Sequence, residues 1–586
     1  MKYVKTLLYL FTLAAIITAC QKGLDRQPLD TVSPPLFFKK ESDLKGYTNL
    51  MYNNFQGAGE IYEGGADDIV KSSVSPDIAG TRLVPNTDGN WNWDQLRQIN
   101  YFLTHENVVN YPNEAVKNKY VGVAKFFRAL FYFEKVKRFG DVPWYNVVIE
   151  TNDEANLRKA RDPRTLIMDS IMADLDFAIQ HLDTEKSVER VTRWTALALK
   201  SRIGLYEGSW RKYHTEFNLP DAAKFLEASI AASEELMNSG QYSLYKATNG
   251  PTGKPYMDLF ATMTLDPLNS EVIIGRRYSN TLTVFHNLQF YMTARTQGKP
   301  GFEKRLVNSY LMADGKRFTD IAGYDTMQFY NEVQNRDPRL YQSIRTPGYT
   351  RVGQTAVASV DFEGTMTGYQ PVKGLNHPNM DGSSQSYKDL ILFRFGEILL
   401  NYAEAKAELG SLTQADIDRS VNLLRDRVGM PNLIMAEANA NPDAYQAALY
   451  NNLSGANQGV LLEIRRERRV ELVMENGLRW DDIMRWKEGH LLADPFLGTY
   501  FPGPGFYNLD RSGGAEIEIY SGSRPPATAG AYQLPVSELD EGVKGNIMTN
   551  RNIVKTFNEN RDYLYPLPIE QTTLNPNLGQ NPGWRE

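Results

Sequence analysis

The residues able to do covalent or metal chemistry are few and badly spaced for it. The 586-residue chain has one cysteine, Cys20, and six histidines, His105, His181, His214, His286, His377 and His490, none paired at ligand spacing. It contains no His-Glu-x-x-His helix, Gly-x-Ser-x-Gly elbow or Cys-x-x-Cys pair. Gly250-Pro251-Thr252-Gly253-Lys254 has two residues between its glycines, where a Walker loop needs four to wrap phosphates, so it reads as a turn. With 70 Asp and Glu, some pair at glycosidase separation is expected by chance and carries no weight. Arg465-Arg466-Glu467-Arg468-Arg469 is basic, but Glu463, Glu467, Glu471 and Glu475 interleave with it. Glu463/Arg466 and Arg468/Glu471 stand three apart, which predicts a salt-bridged helix face worth about a few tenths of a kcal/mol per pair. A net charge of −6 likewise argues against a nucleic-acid grip. No metal or cofactor is expected. What the chain does have is 33 Tyr and 8 Trp, flat amphipathic surfaces suited to polar ligands with apolar faces.

Cys20 has a different use. Lys2 and Lys5 precede an apolar run at 7–17, too short to span a bilayer, and Thr18-Ala19 lead into the cysteine. Ile17-Thr18-Ala19-Cys20 looks like a bacterial lipobox. Residues 1–19 are then a cleaved signal peptide, Cys20 carries a diacylglyceryl thioether and an N-acyl chain, and 20–33 is a polar tether. Several acyl chains give stable attachment. No thiol remains for disulfides, metal or catalysis.

The rest of the chain, 34–586, reads as one body in which helical blocks alternate with irregular ones. The strongest element is 120–145. Val123, Phe127 and Leu130 follow i, i+4, i+7, with Phe126, Phe133 and Val136 widening the stripe and Lys125, Arg128, Lys135 and Lys137 between them. Gly140 and Pro143 stop it. Helical spacing also marks 37–55, 91–110, 163–182, 192–210, 221–239, 389–409, 414–427 and 459–475. The small residues Ala196, Ala198, Ser201 and Gly204 predict close helix packing. Successive helices with short connections predict antiparallel pairs, TPR-like without a strict 34-residue repeat. The fold class is therefore mainly α: a helical scaffold at 93–239 and 389–487. Gly-rich stretches at 56–92, 240–388 and 490–560 form a loop-rich lobe with short strands near 271–274 and 516–520. Loops this long are expected to carry function.

Several runs together resemble the SusD/RagB family of Bacteroidetes outer-membrane lipoproteins. They are Leu24-Asp25 with Pro28; Ala124-Lys125-Phe126-x-Arg128-Ala129 with Phe139-Gly140-Asp141-Val142-Pro143; and Asp174-Leu175-x-x-Ala178. Ala196-Leu197-Ala198-x-x-x-Arg202-x-x-Leu205-Tyr206 follows, then Asn335-Arg336-Asp337-Pro338-Arg339 and Arg394-Phe395-Gly396-Glu397 running to Ala405. Asn422-x-x-Arg425-x-Arg427-x-Gly429 comes next, then Glu467-Arg468-Arg469-Val470-Glu471-Leu472 with Gly477 and Arg479. Tyr565-Pro566-x-Pro568 and Asn575-Pro576-Asn577-Leu578-x-Gln580-Asn581-Pro582-Gly583 close the series. The resemblance implies a binding protein, not an enzyme. It would be lipid-anchored in the outer membrane, face the cell surface and deliver a nutrient, usually a glycan, to a SusC-like TonB-dependent transporter. Gln21 to Asp25 is poorer in acids than many surface-export tethers, so surface exposure rests on the family. The alternatives are a peptide-binding importer subunit of the RagB type and a lipoprotein glycoside hydrolase.

For a glycan, aromatic rings under the sugar faces and Asp, Asn, Arg or Gln at the hydroxyl rim are the required chemistry. Residues 67–93 are the favoured segment, with Asp68, Asp77 and Arg82 at the rim and Trp91 as platform. Trp93 begins a helix and is expected to pack into it. Tyr291, Tyr324, Tyr330 and Tyr349 are further candidates. Trp144, Trp194, Trp480 and Trp486 lie in scaffold motifs and are expected to be packing.

Overall fold

A computed structural model describes residues 37–59, 66–528 and 530–584. The signal peptide, Cys20 and the 20–33 tether expected from the sequence lie outside the described residues.

The helices that set the frame are α1 (Glu41–Leu50), α2 (Asp94–Thr104), α3 (Glu114–Phe139), α4 (Arg164–His181), α5 (Arg193–Tyr213), α6 (Ala222–Asn238), α7 (Phe395–Glu408), α8 (Val421–Arg427), α9 (Gln458–Glu471) and α10 (Leu478–Arg485). Packing follows chain order: α2 on α3, α3 on α4, α4 on α5, and α5 on α6. The series continues with α6 against α7, although about 150 residues of loop-rich chain separate them, and then α7 against α9. One apolar cluster runs through the whole helical series, from Phe38 to Leu578.

The sequence of α3 dictates its place in this core. Asn113 accepts from Val116 N–H (3.1 Å) at its start, and Gly140, at φ +71, ends it with a turn that a side chain would strain. Ala124, Phe126, Phe127, Tyr132, Val136 and Phe139 are fully buried. Of the charges between them Arg128 and Lys135 are buried too, and Arg128 grips Asp174 of α4 through two bonds of 2.6 and 2.8 Å.

The strands are short. β1 (Ile69–Val70) pairs antiparallel with β3 (Gly301–Phe302), and β2 (Val272–Arg276) with β4 (Leu390–Arg394), the two members of each pair lying far apart in sequence. β5 (Leu497–Phe501) pairs with β9 (Gly545–Met548), while β6 (Gly505–Tyr507), β7 (Ile517–Tyr520) and β8 (Tyr532–Pro535) form a three-stranded sheet. Residues 390–394, expected to open a helix, are instead this β4 strand. Their Leu-Ile-Leu-Phe run suits either state, and the cross-strand partner decides it. A second apolar cluster, including Phe302, Tyr310, Tyr369, Phe501 and Ile517, fills the loop-rich lobe, with Val470 from α9.

The seam between the two lobes is ionic, and here the expected solvated face on 459–475 is corrected. Arg465, Arg466, Arg468, Arg469, Glu467 and Glu471 are all 3 % exposed or less. Glu463/Arg466 does pair (2.9 Å), but Arg468 turns to Asp482 and Glu404, each at about 3.1 Å. Glu471 collects Arg339 (3.0 Å), Arg394 (2.8 Å) and Arg427 (2.6 Å), while Glu467 takes Arg425 (3.1 Å). Burial acts against the Glu471 carboxylate, but the three guanidinium groups hold it well below the usual carboxylate range.

Candidate functional site

A cleft among the described residues has a volume of about 1000 Å³, the size of a small-ligand site. α3 supplies its floor through Leu130, Phe131, Glu134, Lys135, Lys137 and Arg138. Chain segments at 53–56, 69–78 and 89–95 form one wall, and Asn476 to Met484 with Asn550, Tyr563 and Tyr565 the other.

Charge in the cleft is largely paired. Lys137 bonds Asp481 (2.9 Å) and Glu134 (3.0 Å), and Arg138 bonds Asp88 (3.1 Å). Among the described residues Lys135 has no carboxylate partner; it donates to the carbonyls of Asn90 and Asn92, the latter at 2.8 Å. Burial pushes its pKa down to about 8, with Asp88 opposing. These bonds tie the 89–92 turn to the floor. What remains unmet among the described residues is hydrogen-bonding capacity on two amide oxygens and one guanidinium nitrogen. Asn54 Oδ1 and Asn476 Oδ1 are buried acceptors without donors, and Arg138 Nε is a donor without an acceptor. The half-buried Trp480 indole also lines the space.

Of the residues expected to bind ligand, only Asp77 lines this cleft. Asp77 and Arg82 are brought together, Arg82 Nε to Asp77 Oδ1 at 2.6 Å, but Arg82 is 8 % exposed and serves Tyr565. The Tyr565 ring has the guanidinium carbons of Arg82 and Arg138 each 3.7 Å from its centre, and its hydroxyl donates to Asp77 (2.8 Å). Trp91 is not an open platform. It is 7 % exposed and packs edge-on against Phe139 (4.9 Å) and Trp93 (5.4 Å), while its neighbours Asn90 and Asn92 face the cleft. Trp93 packs on Phe131 and Tyr145, as its position at the helix start predicted.

Asp68 is also buried (2 %) and is a counter-ion of Arg469, at 2.7 Å. Burial, with Asp67 adjacent, raises its pKa. Tyr349 is buried beside Arg345. Tyr291 is half-buried on the main core, Tyr324 packs on Phe318 and Tyr445, and Tyr330 lies under Arg511 (3.8 Å). None of these four tyrosines reaches the cleft. Trp480 is the lining residue that sequence reasoning assigned to packing; the signal available was its place two residues after the helix-breaking Asn476-Gly477-Leu478 turn.

Comparison with known proteins decides the family. Residues 277–584 match the profile of the SusD family, and residues 73–205 match a profile described as starch-binding, associating with the outer membrane. The chain belongs to the SusD family. It is 24 % identical over 534 residues to a SusD-like protein, P38, of Formosa agariphila, covering 84 % of this chain and 93 % of that one. A SusD-like protein of Bacteroides ovatus is likewise 24 % identical over 509 residues, 82 % of each chain. Among solved structures, a SusD-like protein of Bacteroides fragilis superposes with a TM-score of 0.68 at 22 % identity, over 95 % of this chain and all of that one. A second from the same organism, titled a SusD-like carbohydrate binding protein, gives 0.64 at 20 % identity, over 92 % and 99 %. The SusD-like fold, mainly α with short strands, is thus shared across nearly the whole length.

Proposed function

We propose that this SusD-family protein binds a glycan in the α3 cleft and hands it to a SusC-like TonB-dependent transporter, acting by binding and not by catalysis. The observation that carries the reading is the set of hydrogen-bond groups left unmet among the described residues around the cleft, the amide oxygens Asn54 Oδ1 and Asn476 Oδ1 and the guanidinium nitrogen Arg138 Nε, beside the Trp480 indole. A polyhydroxyl ligand both donates and accepts and has an apolar C–H face for an indole. The second Bacteroides fragilis neighbour, a SusD-like carbohydrate binding protein, and the starch-binding profile over 73–205 support the same ligand class.

Soluble protein lacking residues 1–20 is expected to be retarded in native gels containing its polysaccharide, and Trp480→Ala to weaken this by about tenfold, the scale of one lost stacking contact. Absence of retardation across a broad glycan panel, with binding to peptide digests instead, would move the protein to the RagB-type reading. Release of reducing ends from a bound polysaccharide would overturn the non-enzymatic one. Anchoring at Cys20 predicts that Cys20→Ala frees the protein from the outer membrane, and the partner reading predicts co-purification of a barrel protein.

A further inference from the structure

A second cavity, of about 360 Å³, shares no lining residue with the cleft. It lies where the Gly140-Asp141 turn after α3, the start of α4, the end of α5 and the Gln580-Asn581-Pro582 tail meet. Two of the runs that marked the family, those around Gly140 and around Asn581, are therefore brought together at a place the glycan reading does not use.

The groups around it are short of an acceptor. Trp210 lines the cavity, is 1 % exposed, and its Nε1–H has no partner among the described residues. The His214 ring stacks on the indole at 3.8 Å and the Arg164 guanidinium sits 4.6 Å from its centre. A buried donor left unmet is costly enough to be rare. Arg161 donates to Leu578 O (2.7 Å), Asn581 Oδ1 (2.6 Å) and Gln580 O (3.4 Å), all of them neutral. Glu207 serves both Arg164 and Arg211, each at 2.7 Å, and Asp141 Oδ1 accepts from Arg164 N–H at 2.7 Å. Among the described residues the three guanidiniums of Arg161, Arg164 and Arg211 thus face two carboxylates, Glu207 and Asp141, an excess of one positive charge. Asp141 thereby meets the first N–H of the 18-residue α4, whose own first turn holds no acid and whose Pro163 gives no side-chain cap. Phe217, Leu219 and Leu564 give the rest of the wall an apolar surface.

We infer that this cavity binds a carboxylate with an apolar body: the carboxylate accepts from Trp210 Nε1–H and the Arg161 guanidinium, and the body lies on Phe217, Leu219 and Leu564. The shared chemistry has two sources, a free carboxylic acid or the C-terminal residue of a polypeptide. Calorimetry on the full chain in nanodiscs, with empty nanodiscs subtracted, separates them. The probes are 3-phenylpropanoate, its primary amide, and the peptide acetyl-Gly-Gly-Gly-Phe. Saturable binding of 3-phenylpropanoate is expected, with the amide at least about tenfold weaker because the charge-assisted bond is lost. Binding of the peptide as well assigns the cavity to polypeptide ends; its exclusion assigns it to free acids. Trp210→Phe keeps an aromatic ring, though a smaller one, and removes the donor, and should weaken 3-phenylpropanoate about tenfold. Leu219→Trp fills the cavity and should abolish binding while glycan retardation persists. The inference is overturned by no saturable heat up to about 10 mM probe, by equal binding of acid and amide, or by binding that survives Leu219→Trp.

Discussion

Arg479 holds Asp67 with two hydrogen bonds, Nε to Oδ1 at 2.7 Å and Nη2 to Oδ2 at 2.8 Å, across 412 positions of chain. Asp67 also accepts from Arg469 (3.1 Å), and burial of its carboxyl is outweighed by the two guanidiniums, which keep it well below the usual carboxylate range. The pair fastens the segment that continues into the cleft wall to the arginine-rich core. Asp67→Asn leaves two buried cations short of charge and is expected to cost about 3–5 kcal/mol in urea unfolding. A double-mutant cycle with Arg479→Gln should show coupling above about 1 kcal/mol; additivity would mean the contact does not bind the two segments together.

Glu471 is the node of the seam, touching Arg339, Arg394 and Arg427. Glu471→Gln should therefore destabilise by about 3–5 kcal/mol. Lys224→Gln, which breaks the exposed pair to Asp169 (2.8 Å), should change stability by less than about 0.5 kcal/mol. Equal effects on the midpoint of denaturation would show that burial, the difference between the two sites, is not what matters.

These ionic residues mark where the sequence was legible and where it was not. The α3 helix could be read because its apolar period and its Gly140-Pro143 stop are local. Arg465 to Glu471 has charges three and four apart, and that pattern is the same on a solvated face and in a buried seam. Only partners such as Arg339, 128 positions from Glu467, distinguish the two. Asp68 looked like a rim ligand because it sits among glycines, yet its counter-ion Arg469 comes from α9, and the adjacent Asp67 is held by Arg469 and by Arg479 of α10. Trp91 and Trp480 exchanged expectations for a related reason. Which of two indoles is covered depends on Phe139, which closes over Trp91, and on the packing around α10, neither of which spacing encodes.

Lys135 offers a pH test of the cleft floor. Its folded pKa, pushed down to about 8 from 10.5, lies below the unfolded value, so between these pH values the unfolded chain holds more protons. Stability therefore rises with pH across that window, by up to on the order of 3 kcal/mol. Lys135→Met lacks this titration. The wild type should gain on the variant as pH climbs from about 8 to about 10.5; parallel stability curves would show that the ammonium is not desolvated. Glycan affinity should also fall in the variant, because the Asn90 and Asn92 carbonyls lose their tie.

Tyr565 joins the C-terminal run to the cleft wall. Tyr565→Phe removes only the hydrogen bond to Asp77 and should cost about 1 kcal/mol. Tyr565→Ala also removes the ring between Arg82 and Arg138, and should cost about 3–5 kcal/mol. If the two substitutions gave the same loss of melting temperature, the ring would not be contributing through its two cation contacts.

Close packing of α5 on α6 gives the last test. Ser201 and Ser233 hydroxyls meet at 2.8 Å across the two helices, and a Cβ built on Gly204 would lie 2.7 Å from Phe225 O and 2.8 Å from Ser229 N. Backbone at that distance cannot turn aside, so the helices must separate. Gly204→Ala gains about 1 kcal/mol of helix propensity, but overpacking of about 1–3 kcal/mol or more opposes it. Gly46→Ala is the matched control, since a Cβ on this exposed residue of α1 meets nothing within 4 Å. Gly46→Ala should raise stability by up to about 1 kcal/mol and Gly204→Ala should lower it by about 2 kcal/mol. The difference isolates the packing term. Two gains of similar size would mean that α6 can move away freely, and that the small residues of α5 do not set the spacing of the scaffold.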